Sequence, residues 1–71
     1  MHRVAVNSSN IKSIGYDPVM AILEVEFILG DMYQYYDVPR RLHEEIMHAS
    51  SIGGFLNDNI VKYNYRYRKM N

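Results

Sequence analysis

Residues 21–29 read AILEVEFIL, then come Gly30-Asp31 and, over residues 32–38, MYQYYDV. Leu23, Val25, Phe27 and Leu29 alternate with Glu24 and Glu26, with Ile22 and Ile28 at the two ends, and a period of two is that of a half-buried strand. Gly30-Asp31 suits a two-residue hairpin loop, because glycine takes positive φ without steric cost, and the tyrosine-rich run after it favours a second strand. The two runs are expected to pair antiparallel. Upstream, NIKSIGYD reads as a shorter strand closed by Asp17-Pro18, which gives a three-stranded meander within residues 4–38. Ile11 and Ile14 lie three apart and cannot both point inward in a regular strand, so a bulge is expected near Ser13 or Gly15.

A Gly30-Asp31 loop sets Leu29 opposite Met32, Phe27 opposite Gln34 and Val25 opposite Tyr36 on one face. The other face then pairs Ile28 with Tyr33 and Glu26 with Tyr35, placing Tyr33 and Tyr35 among the glutamates. A three-residue loop inverts this assignment, since a one-residue slip moves every side chain to the opposite face.

After the sheet, Pro39 fits the first position of a helix over 39–49, with Leu42, Ile46 and Ala49 on its inner stripe. Ser50-Ser51 offers a cap and a break, and Leu56, Ile60, Tyr63 and Tyr67 recur at helical spacing, which favours a second helix over 52–67 followed by a basic tail, 68–71. Tyr63, Tyr65 and Tyr67 also fit a fourth strand by alternation. The fold class is α+β: a three-stranded antiparallel meander followed by one or two helices packed on the sheet.

Seventy-one residues make a single small domain, with no room for a second core. There is no cysteine, which removes disulfides and thiolate zinc sites and fits a reducing compartment. The amino terminus lacks a leader pattern and no apolar run reaches the ~20 residues of a membrane span, so a cytoplasmic protein with no membrane association is expected. Formal net charge is zero, but residues 1–59 carry four cations against eight acids while residues 60–71 carry Lys62, Arg66, Arg68 and Lys69 and no acid. An acidic body thus bears a basic end, the pattern of a nucleic-acid-binding arm or of a segment folded back onto acidic surface.

Across this frame the chain resembles the small KTSC domain, found at the carboxyl end of some lysyl-tRNA synthetases and as a free-standing bacterial protein. The resemblance is carried by Ser8-Ser9-x-Ile11 with Ile14-Gly15-Tyr16-Asp17, by Tyr33-x-Tyr35 followed by Val38-Pro39, and by Ser51-x-Gly53 with Phe55, Asn57 and Ile60. These stand in order over nearly the whole chain. The resemblance implies an accessory module without an assigned activity, for which RNA binding is suggested by attachment to a synthetase.

From the residues themselves, Tyr33 and Tyr35 form a candidate platform for stacked bases, and Lys62, Arg66, Arg68 and Lys69 are the candidate phosphate contacts. Glu24 and Glu26, placed on the same face, oppose that use. In the competing arrangement a carboxyl-terminal helix covers this face, setting Tyr63 or Tyr67 beside the tyrosine pair and Lys62 or Arg66 near the glutamates. The Ser50–Gly54 stretch lacks the lysine and spacing of a phosphate loop and reads as helix capping. His43 and His48, five apart, lie about 140° around a helix axis and cannot share an ion. No catalytic residues, metal ligands or cofactor motif are assigned, and an enzyme is not expected. The expected partners are RNA or another single-stranded nucleic acid or, alternatively, a protein partner or a homodimer.

Overall fold

The computed structural model describes residues 1–71. Five strands form one antiparallel sheet in the order β1 (Arg3–Ala5), β2 (Ile11–Asp17), β3 (Ile22–Phe27), β4 (Met32–Tyr35) and β5 (Tyr67–Lys69). The meander is extended by one strand at each edge, within an α+β architecture. Between β4 and β5 lie the helices α1 (Arg40–Met47) and α2 (Ile52–Leu56), the second running on into a wider π-type turn, Asn57–Val61.

The β3–β4 connection decides where every side chain of the hairpin goes. Gly30, at φ +109°, donates its N–H to the Phe27 carbonyl at 2.9 Å, and the Phe27 N–H donates to the Asp31 carbonyl at 2.8 Å. The loop is therefore the three residues Ile28–Gly30, a turn closed by a glycine at positive φ, and not the two-residue Gly30-Asp31 loop. Glu26 faces Met32, Val25 faces Tyr33, Glu24 faces Gln34 and Leu23 faces Tyr35. The expected faces are thus inverted: Tyr33 and Tyr35 lie with Val25 and Leu23, and the glutamates lie on the other side.

In β2 the register shifts between Ile11 and Ser13, a bulge that turns both Ile11 and Ile14 inward as their spacing requires. On that inner face Ile11, Ile14, Leu23, Val25 and Tyr35 meet Val38, Leu42 and Ile46 from the α1 side and Leu56 and Ile60 from the α2 side, forming one core. Pro39 stands just before α1 in an extended conformation, and Ser51 Oγ accepts the Gly54 N–H at 3.2 Å, so Ser51 of the serine pair caps α2.

The expected helix over 52–67 stops early. Asn64 takes φ +59°, a conformation asparagine tolerates better than most residues, and the chain leaves the helix to return as β5. Residues 67–69 therefore form a strand against β4, where a helix end and a free basic tail were expected. Of the three tyrosines whose alternation fitted a fourth strand, only Tyr67 lies in β5; Tyr63 and Tyr65 precede it.

Replacing Ile46, fully buried, by alanine is expected to cost about 2–5 kcal/mol, while Leu29→Ala at the exposed hairpin tip stays within about 0.5 kcal/mol. Urea midpoints of the two variants against the parent check this.

Candidate aromatic groove and its basic edge

The inner face of the sheet is wider than the helices that cover it. Past Val61 the helical segment ends, and between it and strands β3–β5 a groove of about 390 Å³ opens, lined by Phe27, Tyr33, Tyr35, Val61, Tyr65 and Tyr67, with Asp31 and Asn64 as its polar members. Tyr33 and Tyr35 stack with ring centroids 6.2 Å apart and planes 16° from parallel, and Tyr67 lies 5.7 Å from the first and 6.0 Å from the second. Phe27 meets Tyr33 edge-on at 5.9 Å. These separations fall in the range where aromatic rings attract beyond their burial.

Accessibility is graded across this cluster. Tyr35 is 5% exposed, Tyr33 is half-buried, and Tyr67 is 61% exposed. Burial, reinforced by the neighbouring Tyr33 and Tyr67 hydroxyls, pushes the Tyr35 phenol up to about 12. Tyr35 is thus the floor of the groove and Tyr67 its accessible wall. The platform expected from the sequence was Tyr33 and Tyr35, with Tyr63 or Tyr67 beside them in the competing arrangement; Tyr67 does lie there, from a strand and not a helix, and Phe27 and Tyr65 were not foreseen as groove residues.

The four candidate cations do not form one surface. By register Lys69 lies opposite Tyr33 on the groove face, whereas Arg68 lies opposite Gln34 on the back of the sheet. Arg66 stacks over Tyr36 at 5.2 Å and approaches Asp37 at 3.5 Å; Lys69 approaches Asp31 at 3.5 Å. Lys62 sits 3.5 Å from Asp58 within its own helical segment. Arg68 alone of the four makes no ion pair. None of them reaches Glu24 or Glu26, so the expected neutralisation of the glutamates by the carboxyl-terminal segment does not occur.

That task falls to Arg3. Strand pairing sets Arg3, Gly15, Glu24 and Gln34 in one row across the back of the sheet. A Cβ on Gly15 would lie 2.6 Å from the His2 carbonyl oxygen and 2.9 Å from Arg3 Cγ, so only glycine leaves room for the Arg3 side chain to cross to Glu24. Arg3 donates to the Glu24 carboxylate and to Ser13 Oγ, and Gln34 donates to Glu24 at 2.8 Å. Ser13 in turn donates to Glu26 at 2.9 Å. Burial would raise the Glu24 carboxyl, but the hydrogen bonds from Gln34 and Arg3 outweigh it and hold the group below the usual carboxylate range.

Elsewhere the polar side chains are accounted for by packing. His43 stacks on Tyr16 at 4.9 Å, and burial lowers its pKa; Tyr16 donates its hydroxyl to the Val38 carbonyl at 2.5 Å. No group of three or more histidine, aspartate or glutamate side chains is gathered closely enough to hold a metal ion. No helix is long and apolar enough to cross a membrane.

The KTSC domain family model matches residues 7–67. The chain belongs to the KTSC domain family. An uncharacterised protein of Stutzerimonas stutzeri is 43% identical over 67 residues, covering 94% of each chain, and a protein of Tsukamurella paurometabola is 43% identical over 61 residues, 86% of this chain and 90% of that one. The crystal structure of a KTSC domain protein from Yersinia pestis superposes with a TM-score of 0.87 at 44% identity, covering 99% of this chain and 97% of that chain. A lysine–tRNA ligase of Nostoc sp. is 32% identical over 62 residues, which are 87% of this chain and 11% of the ligase.

Two titrations follow from these environments. Tyr35 is expected to ionise only near 12. Because its folded pKa exceeds the ordinary 10.0, stability is complete below 10 and declines as pH rises towards 12, measurable by ultraviolet titration alongside urea unfolding. Glu24 behaves oppositely. Its folded pKa lies below the ordinary 4.5, so its contribution is present above 4.5 and is lost as pH falls through the folded value. Glu24→Gln is expected to flatten that acid limb while lowering stability at neutral pH, in the same urea experiment.

Proposed function

We propose that this KTSC domain is a non-catalytic accessory module that takes an unstacked base of a single-stranded nucleic acid, RNA in particular, into the tyrosine groove. The observation that carries this reading is the open cluster of Tyr33, Tyr35 and Tyr67, with Tyr67 accessible and Lys69 beside it in the strand. Stacking of a base on an aromatic ring contributes about 1–3 kcal/mol and needs no particular base identity. The hairpin register supports the reading further, because Glu24 and Glu26, which would repel a phosphate backbone from this face, lie on the opposite one. The resembling ligase is named for a tRNA, which favours RNA among the single-stranded ligands. A cytoplasmic setting fits such a ligand.

Binding on this scheme is weak. Lys62, Arg66 and Lys69 each lie near an aspartate, and Arg68, which has no ion pair, lies on the back of the sheet, so few cations face a backbone entering the groove. Non-specific affinities in the range of about 10⁻⁴–10⁻⁶ M are expected, falling with salt.

The test is an NMR and tyrosine-fluorescence titration with mixed-sequence RNA oligonucleotides at low and physiological salt. Tyr67→Ala is expected to weaken binding about tenfold, and combined alanine substitution of Lys62, Arg66, Arg68 and Lys69 to reduce the salt slope. Wild-type protein showing no salt-sensitive binding, or Tyr67→Ala binding like wild type, overturns the reading.

A further inference from the structure

Strand β5 is the edge of the sheet and is exposed at all three of its residues. Its hydrogen bonds to β4 have a fixed parity: the Tyr36 N–H donates to the Arg66 carbonyl at 2.8 Å and the Met70 N–H to the Met32 carbonyl at 2.7 Å. In an antiparallel ladder the intervening residues turn their backbone groups the other way. The N–H and C=O groups of Tyr67 and Lys69 therefore point away from the sheet, and no proline or bulge interrupts them.

The side chains alternate as sharply as the backbone. Arg68, and Arg66 by the same alternation, lie on the back of the sheet, while Tyr67 lies on the groove face. A strand laid against this edge would meet Arg66 and Arg68 on one side and, on the other, Tyr67 with the groove behind it and Lys69 near Asp31.

We infer that the β5 edge accepts an extended peptide whose residues alternate acidic and apolar, adding a sixth strand with its carboxylates beside Arg66 and Arg68 and an apolar side chain over the groove at Tyr67. This goes beyond base capture, since it uses the backbone of β5. A second copy of this chain is the poorer occupant. Self-pairing centred on Tyr67, Arg68 or Lys69 sets Arg66 opposite Arg68, Arg68 opposite itself, or Lys69 opposite itself, and like charges directly opposite destabilise a ladder. An acidic peptide reverses that sign. The exposed contact of Arg66 with Asp37, at 3.5 Å, contributes little and yields to an incoming carboxylate. The opposite edge, β1, offers less: its arginine is committed to Glu24.

The experiment compares Lys69→Pro with Lys69→Ala. Both remove the ammonium, but only proline removes the outward N–H, which β4 does not use, so the sheet is retained. The probe is a short labelled peptide alternating glutamate with valine around one central phenylalanine, with a same-composition control in which the glutamates are clustered. Lys69→Pro is expected to bind the alternating peptide about tenfold more weakly than Lys69→Ala, and the clustered control to bind poorly to all forms. In the wild-type complex, hydrogen exchange of the Tyr67 and Lys69 amides should slow while the control leaves it unchanged. This second measurement stands whether or not the proline variant folds. Equal binding by the two variants with unslowed exchange, or equal binding of the two peptides, overturns the inference. RNA binding acts through side chains and is expected to be the same in the proline and alanine variants, so failure of one reading is separable from failure of the other.

Discussion

A turn of three residues rather than two governs this molecule. Because Ile28–Gly30 is closed by a glycine at positive φ, Leu23 faces Tyr35 and Val25 faces Tyr33. Side-chain direction in a strand has a period of two, so an odd change in register exchanges the two faces completely. With this turn the tyrosines join Leu23 and Val25 on the core face, away from the glutamates that β3's own alternation places behind the sheet. An odd change in loop length would instead carry Tyr33 and Tyr35 to the face of Glu24 and Glu26 and turn Gln34 toward Leu23 and Val25, and the core could not form as it has.

The same sorting creates a polar back face that must be satisfied without a covering layer. Arg3 does this by reaching across the gap at Gly15 to Glu24, with Gln34 and Ser13 completing the hydrogen bonds. No buried side-chain nitrogen or oxygen is left without a partner. On the front, Asn64 ends the helical segment before it can cover the whole sheet, and the chain turns back as β5. The groove exists because the cover stops short, and its exposed wall exists because Tyr67 belongs to an edge strand. Placement of the glutamates behind the sheet removes the main electrostatic objection to an anionic ligand in front of it.

Much of this was legible in the residues. The alternation of 21–29 marked β3, the spacing of Ile11 and Ile14 marked the bulge, and the Leu42–Ile46 stripe with Pro39 marked α1. The hairpin register was not, because Gly30-Asp31 suits two loop lengths and sequence pattern alone does not choose between them; the choice follows from which face the helices bury. Residues 56–67 were ambiguous for a different reason. Leu56, Ile60, Tyr63 and Tyr67 satisfy a helical period while Tyr63, Tyr65 and Tyr67 satisfy a strand period, and the decision rests on Asn64 adopting a left-handed conformation. Strand β1 carries three residues and too little pattern to be read at all; it is recognisable only through what Arg3 does for Glu24. Of the candidate site, the aromatic residue types were legible and their assembly was not, since the groove joins residues from β3, β4 and the carboxyl-terminal segment that only the correct register brings together.

The register can be measured directly, and a chain without native cysteine is well suited to it. In this hairpin Glu26 and Met32 are directly opposite, in a position that does not exchange backbone hydrogen bonds and brings the two side chains close. A Glu26→Cys, Met32→Cys double variant is expected to oxidise readily to an intramolecular disulfide while keeping native tyrosine fluorescence, and a Glu26→Cys, Tyr35→Cys pair to remain reduced under the same mild oxidant. Rapid closure of the second pair and not the first would place the tyrosines on the glutamate face and contradict the account.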